Sequence, residues 1–298
     1  MIIIQVAGGL GNQLQQYALF RKFLSLGREA KLDLSWYGTV KTDGSVTERK
    51  LELARLEGIS YTACTPSEKR TLVGGPGIGG KLRRKLLPFT IRRFAESGIY
   101  HPEIFAMDDC YLEGYFACEK YYADILETLR NEIRFPAGAG PENERLAQKM
   151  EEEQSVSVHI RRGDYKNPEN AVLFGNICTQ AYYEGAIALL RRKVENAHFY
   201  LFSDDIAYVR EHFRGDDYTV VDINRGEDSI YDMWLMSRCR HNICANSTFS
   251  FWGARLNPHG EKVMVRPTVH KNTQQFVKEE MDVLWEGWNF VDPEGRER

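Results

Sequence analysis

Long apolar runs are missing from this chain. None approaches the roughly 18 residues that a membrane-spanning helix needs, so no transmembrane helix is predicted. Residues 1–6, Met-Ile-Ile-Ile-Gln-Val, are apolar but too short for a signal peptide, and they carry no basic leader. They predict a buried first strand and a cytoplasmic protein. A strong excess of one charge is missing too. Lys and Arg number 39 against 42 Asp and Glu, a formal net charge of −3, so the global basic field of a nucleic-acid binder is excluded. Cysteine is scarce. Cys64, Cys110, Cys118, Cys178, Cys239 and Cys244 are scattered, and a 298-residue chain that is 43% hydrophobic has core enough without disulfide staples. Residues 239–244 read as a strand whose two thiols face opposite sides, which predicts reduced structural cysteines rather than a metal site. The seven histidines show neither His-x-x-x-His nor His-Glu-x-x-His spacing, and there is no Gly-x-Ser-x-Gly elbow and no Asp-x-Asp pair.

What is present concentrates in residues 155–165, Ser-Val-Ser-Val-His-Ile-Arg-Arg-Gly-Asp-Tyr. Val156, Val158 and Ile160 alternate with Ser157, His159 and Arg161, the period of a strand. His159 and Arg161 therefore share one face and Arg162 takes the other. The strand runs into a glycine turn that carries Asp164. A guanidinium suits a phosphate or diphosphate because it can make two parallel hydrogen bonds. A structural arginine–carboxylate pair at the sheet edge fits the same residues, and this stretch alone leaves both readings open.

Residues 135–141, Phe-Pro-Ala-Gly-Ala-Gly-Pro, make the best linker. They divide the chain into an N-terminal domain of residues 1–138, a second domain of 139–275, and a tail of 276–298 expected to pack back on the first domain. The first domain opens with a strand (2–6), a glycine turn and a helix (13–26), followed by strands at 31–34 and 111–115 and a helix at 119–130. Residues 71–80 read as a flexible glycine loop. In the second domain, strands at 155–161, 198–203, 218–223, 241–245 and 263–266 alternate with helices at 180–194, 206–213, 229–237 and 248–256. That rhythm implies parallel βαβ units and a doubly wound α/β sheet. Ligands of such sheets bind outside the carboxyl ends of the strands. Three strand ends there carry polar chemistry: His159 to Asp164, Ser203-Asp204-Asp205, and Asn246-Ser247-Thr248-Phe249-Ser250.

Each end has two readings. Asn246, Ser247, Thr248 and Ser250 can cap a helix, or the helix start can hold a phosphate. A carboxylate at Asp204 or Asp205 can accept from the N1–H and N2–H₂ edge of a guanine, cap the next helix or share a metal. The turn Gly8-Gly9-Leu10-Gly11-Asn12-Gln13 tempts a dinucleotide reading with Asp33 as the ribose acid, but Leu14 stands where the third glycine belongs. The basic stretch from Lys81 to Arg93 fits an anionic membrane surface or glycan, against the default of a solvated helix face.

Taken together, residues 8–18, 159–165, 202–205 and 246–254 resemble the bacterial-type α-1,2-fucosyltransferases of glycosyltransferase family 11. The resemblance runs from the first strand to about residue 267. Gln15 stands where that family usually has Phe, and Phe251 where Trp is usual, which bears on the acceptor rather than the donor. The resemblance implies a GT-B-like fold of two Rossmann-like domains facing a cleft. The first would be the acceptor side and the second would hold GDP-fucose. It implies inverting, metal-independent transfer, without a cofactor, to a galactose-terminated oligosaccharide or lipid-linked glycan. By the same resemblance Arg161 would bind the β-phosphate, and Arg162 would support its loop. His159 and one of Asp204 or Asp205 would bracket guanosine. Ser247, Thr248 and Ser250 would address the diphosphate, beside Asn246 and Ser203. Gly11 and Asn12 would reach across from the first domain, and Asp164 would be base or brace.

Overall fold

The computed structural model describes residues 1–38, 49–163, 165 and 167–298. They fall into two compact units, Met1–Arg134 and Phe135–Arg298. The division lies four residues before the one expected at 138. The linker glycines belong to the second unit, where Gly140 (φ 86°) turns the chain into a helix whose first residue is Pro141.

In the first unit the described strands are β1 (Ile2–Gln5), β2 (Ala30–Asp33), β3 (Arg93–Ala95) and β4 (Cys110–Glu113). They form a parallel sheet in the order β2-β1-β4-β3. Ile2, Ile3 and Ile4 in β1 are fully buried, because a central parallel strand is covered on both faces and so reads as a continuous apolar run. Helix α1 (Leu10–Ser25) follows β1. Next come α2 (Pro66–Val73) and α3 (Gly77–Leu86), with α4 (Leu126–Glu132) closing the unit.

Two expectations are corrected here. Residues 71–80 are not one loop: α2 runs to Val73 and α3 begins at Gly77. Residues 119–130 are not one helix: two short 3₁₀ turns, Glu119–Tyr121 and Ala123–Ile125, precede α4.

The second unit holds α5 (Pro141–Glu152), β5 (Ser155–Ile160), α6 (Pro168–Phe174), α7 (Gln180–Lys193), β6 (His198–Ser203), α8 (Ile206–His212) and β7 (Tyr218–Val221). It continues with α9 (Ile230–Arg238), β8 (His241–Ile243), α10 (Thr248–Leu256), β9 (Met264–Pro267), α11 (Lys278–Leu284) and β10 (Trp288–Val291). The strands are parallel, in the order β10-β9-β8-β5-β6-β7. The α/β class with a doubly wound second domain is thus as the sequence predicts. The tail is the correction. Residues 276–298 fall within the second unit, where β10 pairs with β9 as an edge strand of the second sheet, Trp288 opposite Met264.

One core layer of this unit packs Val156, Val158, Ile160, Phe199 and Leu201 against Tyr182, Tyr183, Ile187 and Leu190 of α7. On the other face, Tyr200 and Phe202 pack with Ala147 and Met150 of α5 and Leu235 and Met236 of α9. The six cysteines are free. Cys239 and Cys244 flank the short β8 rather than lying within it.

Candidate active site at the carboxyl edge of the second sheet

In this strand order the chain reverses direction of growth between β5 and β8. Adjacent helices leave from opposite faces at such a point, so a crevice opens beyond the strand ends. Two of the three polar strand ends, His159 to Arg162 and Asn246 to Ser250, lie at the ends of these two strands. The third, Ser203 to Asp205, ends β6 beside β5.

Arg161 pairs with Asp204, Nη1 to Oδ2 at 2.7 Å. The other Asp204 oxygen, Oδ1, accepts from the backbone N–H of Arg162 (2.9 Å) and of Gly163 (3.0 Å). A Cβ on Gly163 would stand 2.5 Å from Asp204 Oδ2, so this close approach needs glycine. Arg162 turns the other way, as strand parity predicts. Its Nε lies 3.2 Å from Asp205 Oδ2 and its guanidinium sits 3.6 Å from the centre of the Tyr208 ring. Asp205 also caps α8, accepting from Tyr208 N. Ser203 Oγ donates to Ile160 O (2.7 Å) and accepts from Asp205 N (3.0 Å). The ion-pair reading therefore holds for both arginines, Arg161 with Asp204 and Arg162 with Asp205. The carboxylates brace the loop that presents Arg161, and neither Asp204 nor Asp205 stands apart as an unengaged acceptor for a base.

His159 is 6% exposed, and its Nδ1 is buried with no hydrogen-bond partner among the described residues. Burial, helped by the Arg161 charge and opposed by Asp204, pushes its pKa down to about 4, so the ring is neutral near pH 7. Its centroid lies 5.8 Å from that of Phe249 in α10. The Tyr183 hydroxyl donates to the His159 carbonyl at 3.2 Å.

Ser247 precedes α10 in extended conformation (φ −133°, ψ 127°) and supplies no side-chain cap, and the first turn carries no acid. The first amides of a helix have no acceptor within the helix. Here they and the helix dipole meet the β5–β8 crevice with nothing negative of their own. Thr248 is half-buried. Ser250 turns inward, Oγ donating to Ser247 O at 3.1 Å. Asn246 is a brace, its Nδ2 donating to Phe174 O (3.1 Å) and His270 O (3.3 Å), while its own carbonyl accepts from the Tyr165 hydroxyl (2.9 Å). Sequence reasoning missed Tyr165 and Tyr183 as supports; Tyr165 had only its place just after the strand end as a signal, and Tyr183, 24 residues beyond His159 in α7, had none. Asp164 lies outside the described residues.

In the first unit, Gly8 takes φ 85° after β1, and a Cβ there would meet Asn12 Nδ2 at 2.6 Å. Gly11 is buried and Asn12 half-buried in the first turn of α1. Gln13 ties this turn to the segment after residue 48. Its Nε2 donates to Gly8 O and Lys50 O, and its Oε1 accepts from Glu52 N and Leu53 N, all between 2.9 and 3.0 Å. Asp33 is 3% exposed and already holds Lys69 Nζ (2.6 Å), the Tyr111 hydroxyl (2.6 Å) and Ser35 N (3.0 Å). Burial alone would raise its pKa; these donors outweigh burial and hold it low. A carboxylate so engaged has no role left for a ribose, so the dinucleotide reading loses its acid.

A neutral imidazole, a braced guanidinium and an uncapped helix start thus stand at the switch point of a doubly wound parallel α/β sheet, the place where sheets of this class bind their ligands. Residues 103–292 match the family described as Glycosyl transferase family 11. Two Escherichia coli proteins are similar over nearly their whole length. The alpha-1,2-colitosyltransferase is 31% identical, covering 90% of this chain and 91% of that one. The O-antigen biosynthesis glycosyltransferase WbnK is 30% identical, covering 88% and 92%. Galactoside alpha-(1,2)-fucosyltransferase 2 of Rattus norvegicus is 31% identical over 103 residues, 34% of this chain and 29% of that one. The chain belongs to glycosyltransferase family 11.

Proposed function

We propose that the protein transfers L-fucose from GDP-β-L-fucose to the 2-hydroxyl of a terminal galactose in an oligosaccharide or lipid-linked glycan. The observation that carries this reading is that Arg161, just beyond β5, and the uncapped start of α10, just beyond the neighbouring β8, follow adjacent strand ends at the switch point. Breaking the bond from the sugar C1 to the diphosphate oxygen leaves negative charge on GDP. A guanidinium and helix amides fixed beforehand stabilise that charge without reorganising. The Asp204 bond orients the Arg161 guanidinium, a planar group of the kind that suits a β-phosphate. The acceptor oxygen attacks C1 from the opposite face and turns the β-linked donor into an α-linked product. The acceptor proton leaves to a base, for which Asp164 is the candidate.

His159 is the proposed guanosine contact, Ser247 and Thr248 are the proposed diphosphate contacts, and Gly11 and Asn12 are the proposed first-domain contacts. On this account the arginine and the helix supply the positive field, so no metal is needed. The similarity to a colitosyltransferase makes the sugar of the donor the first variable to test.

The test is GDP release from GDP-fucose with lactose, run with and without EDTA, beside GDP-colitose as competing donor. The expected result is EDTA-insensitive turnover with GDP-fucose and an α-1,2 linkage in the product by NMR. In thermal-shift titration GDP should stabilise the protein and NAD(H) should not. Stabilisation by NAD(H) alone, or no turnover with any galactose-terminated acceptor, would overturn the reading.

A further inference from the structure

The anionic membrane surface that the basic stretch from Lys81 to Arg93 fits has a geometry in α3. Residues 69–95 contain eight Lys and Arg and no Asp or Glu. The segment carries a formal +8, of which Lys69, Arg92 and Arg93 are paired with Asp33, Asp109 and Glu113, so the basic side chains of α3 itself, Lys81, Arg83, Arg84 and Lys85, make up most of the local excess.

Helix α3 is fixed by one side only. A Cβ on Gly80 would collide with the Gly75 carbonyl at 1.7 Å, so the helix backbone lies directly on the preceding loop. Arg83 donates to Arg70 O and Thr71 O, and Arg84 to Val73 O and Gly75 O. These are the last carbonyls of α2 and the residues just beyond it. With glycine and two arginine clamps inward, the stripe at spacing i, i+4, i+8 must face out. That stripe is Ile78, Leu82 and Leu86, 86%, 53% and 61% exposed, and Phe89 beyond the helix is 80% exposed. Lys81 and Lys85, both exposed, run beside it.

We propose that this face docks on an anionic lipid bilayer, with Ile78, Leu82, Leu86 and Phe89 in the acyl–headgroup boundary and Lys81 and Lys85 on the headgroup phosphates. The chemistry is that of an interfacial amphipathic helix. No helix among the described residues is long and apolar enough to cross a membrane, so the contact is peripheral. Charge selects the occupant. In a two-fold dimer each copy buries the same patch, which would set Lys81 and Lys85 of one copy against the same lysines of the other. A membrane with negative headgroups meets both the stripe and its rim. The inference stands apart from the reaction proposed above, because vesicle binding needs no turnover.

The experiment is co-sedimentation of the full chain with phosphatidylcholine vesicles, with and without phosphatidylglycerol. Binding is expected with phosphatidylglycerol, weaker by at least about tenfold without it, and falling as salt rises. The Lys81→Gln/Lys85→Gln double variant should bind about 30-fold more weakly, roughly fivefold per lysine. Ile78→Ser/Phe89→Ser should lose at least about tenfold. Both variants should melt as the parent does. Binding that ignores phosphatidylglycerol, or a dimer in ultracentrifugation that Ile78→Ser/Phe89→Ser dissolves while the parent ignores vesicles, would overturn the proposal.

Discussion

Asp204→Ala separates bracing from ligand contact. Asp204 makes three bonds, one to Arg161 and two to the backbone N–H groups of Arg162 and Gly163. The pair is about a quarter exposed on both sides, 26% each, so water takes up part of what the carboxylate gave. The expected loss of stability is only about 1–2 kcal/mol, the discounted value of charge-assisted bonds at a partly wet site. Transfer suffers more. Without its anchor Arg161 samples other rotamers, and a catalytic group displaced by about 1 Å costs on the order of 10²-fold. GDP release with GDP-fucose and lactose should show kcat lowered by about 10–100-fold. Asp204→Asn should be intermediate, because its carbonyl still accepts from the two amides while the Arg161 bond is lost. Dissociation constants for GDP, measured by calorimetry in parallel, should move much less than kcat. Unchanged kcat with GDP binding weakened by about 100-fold would refute the brace and return Asp204 to guanine recognition.

Gln15 in α1 is fully buried, and neither atom of its side-chain amide has a partner among the described residues. Gln15→Leu should raise stability by about 1–3 kcal/mol, read as a higher melting temperature; a lower one would show that the amide is satisfied. For His159 the direction with pH is fixed. Its folded pKa of about 4 lies below the ordinary value of 6.5, so above pH 6.5 both folded and unfolded states are neutral and nothing is lost. As pH falls from 6.5 toward 4 the unfolded chain takes up the proton first, and stability drops by up to about 1.4 kcal/mol per pH unit from this residue. His159→Gln should flatten that limb in urea melts at pH 7 and pH 4.5, and an unchanged limb would contradict the burial argument.

The sheet edges were legible because period-two alternation and βα rhythm are local properties of the chain. The β5 parity placed His159 and Arg161 on one face and Arg162 on the other, as found. Three things were not legible. The bonds from Asp204 to Arg161 and the next two amides join residues more than forty positions apart, and no local pattern encodes them. Helix α3 was hidden by its glycines. Gly77, Gly79 and Gly80 read as a loop, yet Gly80 is needed for the helix to rest on the backbone of Gly75. Strand β10 is four residues long and follows α11 after only three residues, too little pattern to separate from a tail.

The central claim is that Arg161, at the end of β5, meets the leaving diphosphate. It is tested most directly by the turnover of Arg161→Ala with GDP-fucose and lactose, alongside its melting curve. The account predicts a folded protein whose kcat is down by about 10²–10³-fold; near-normal turnover would contradict it.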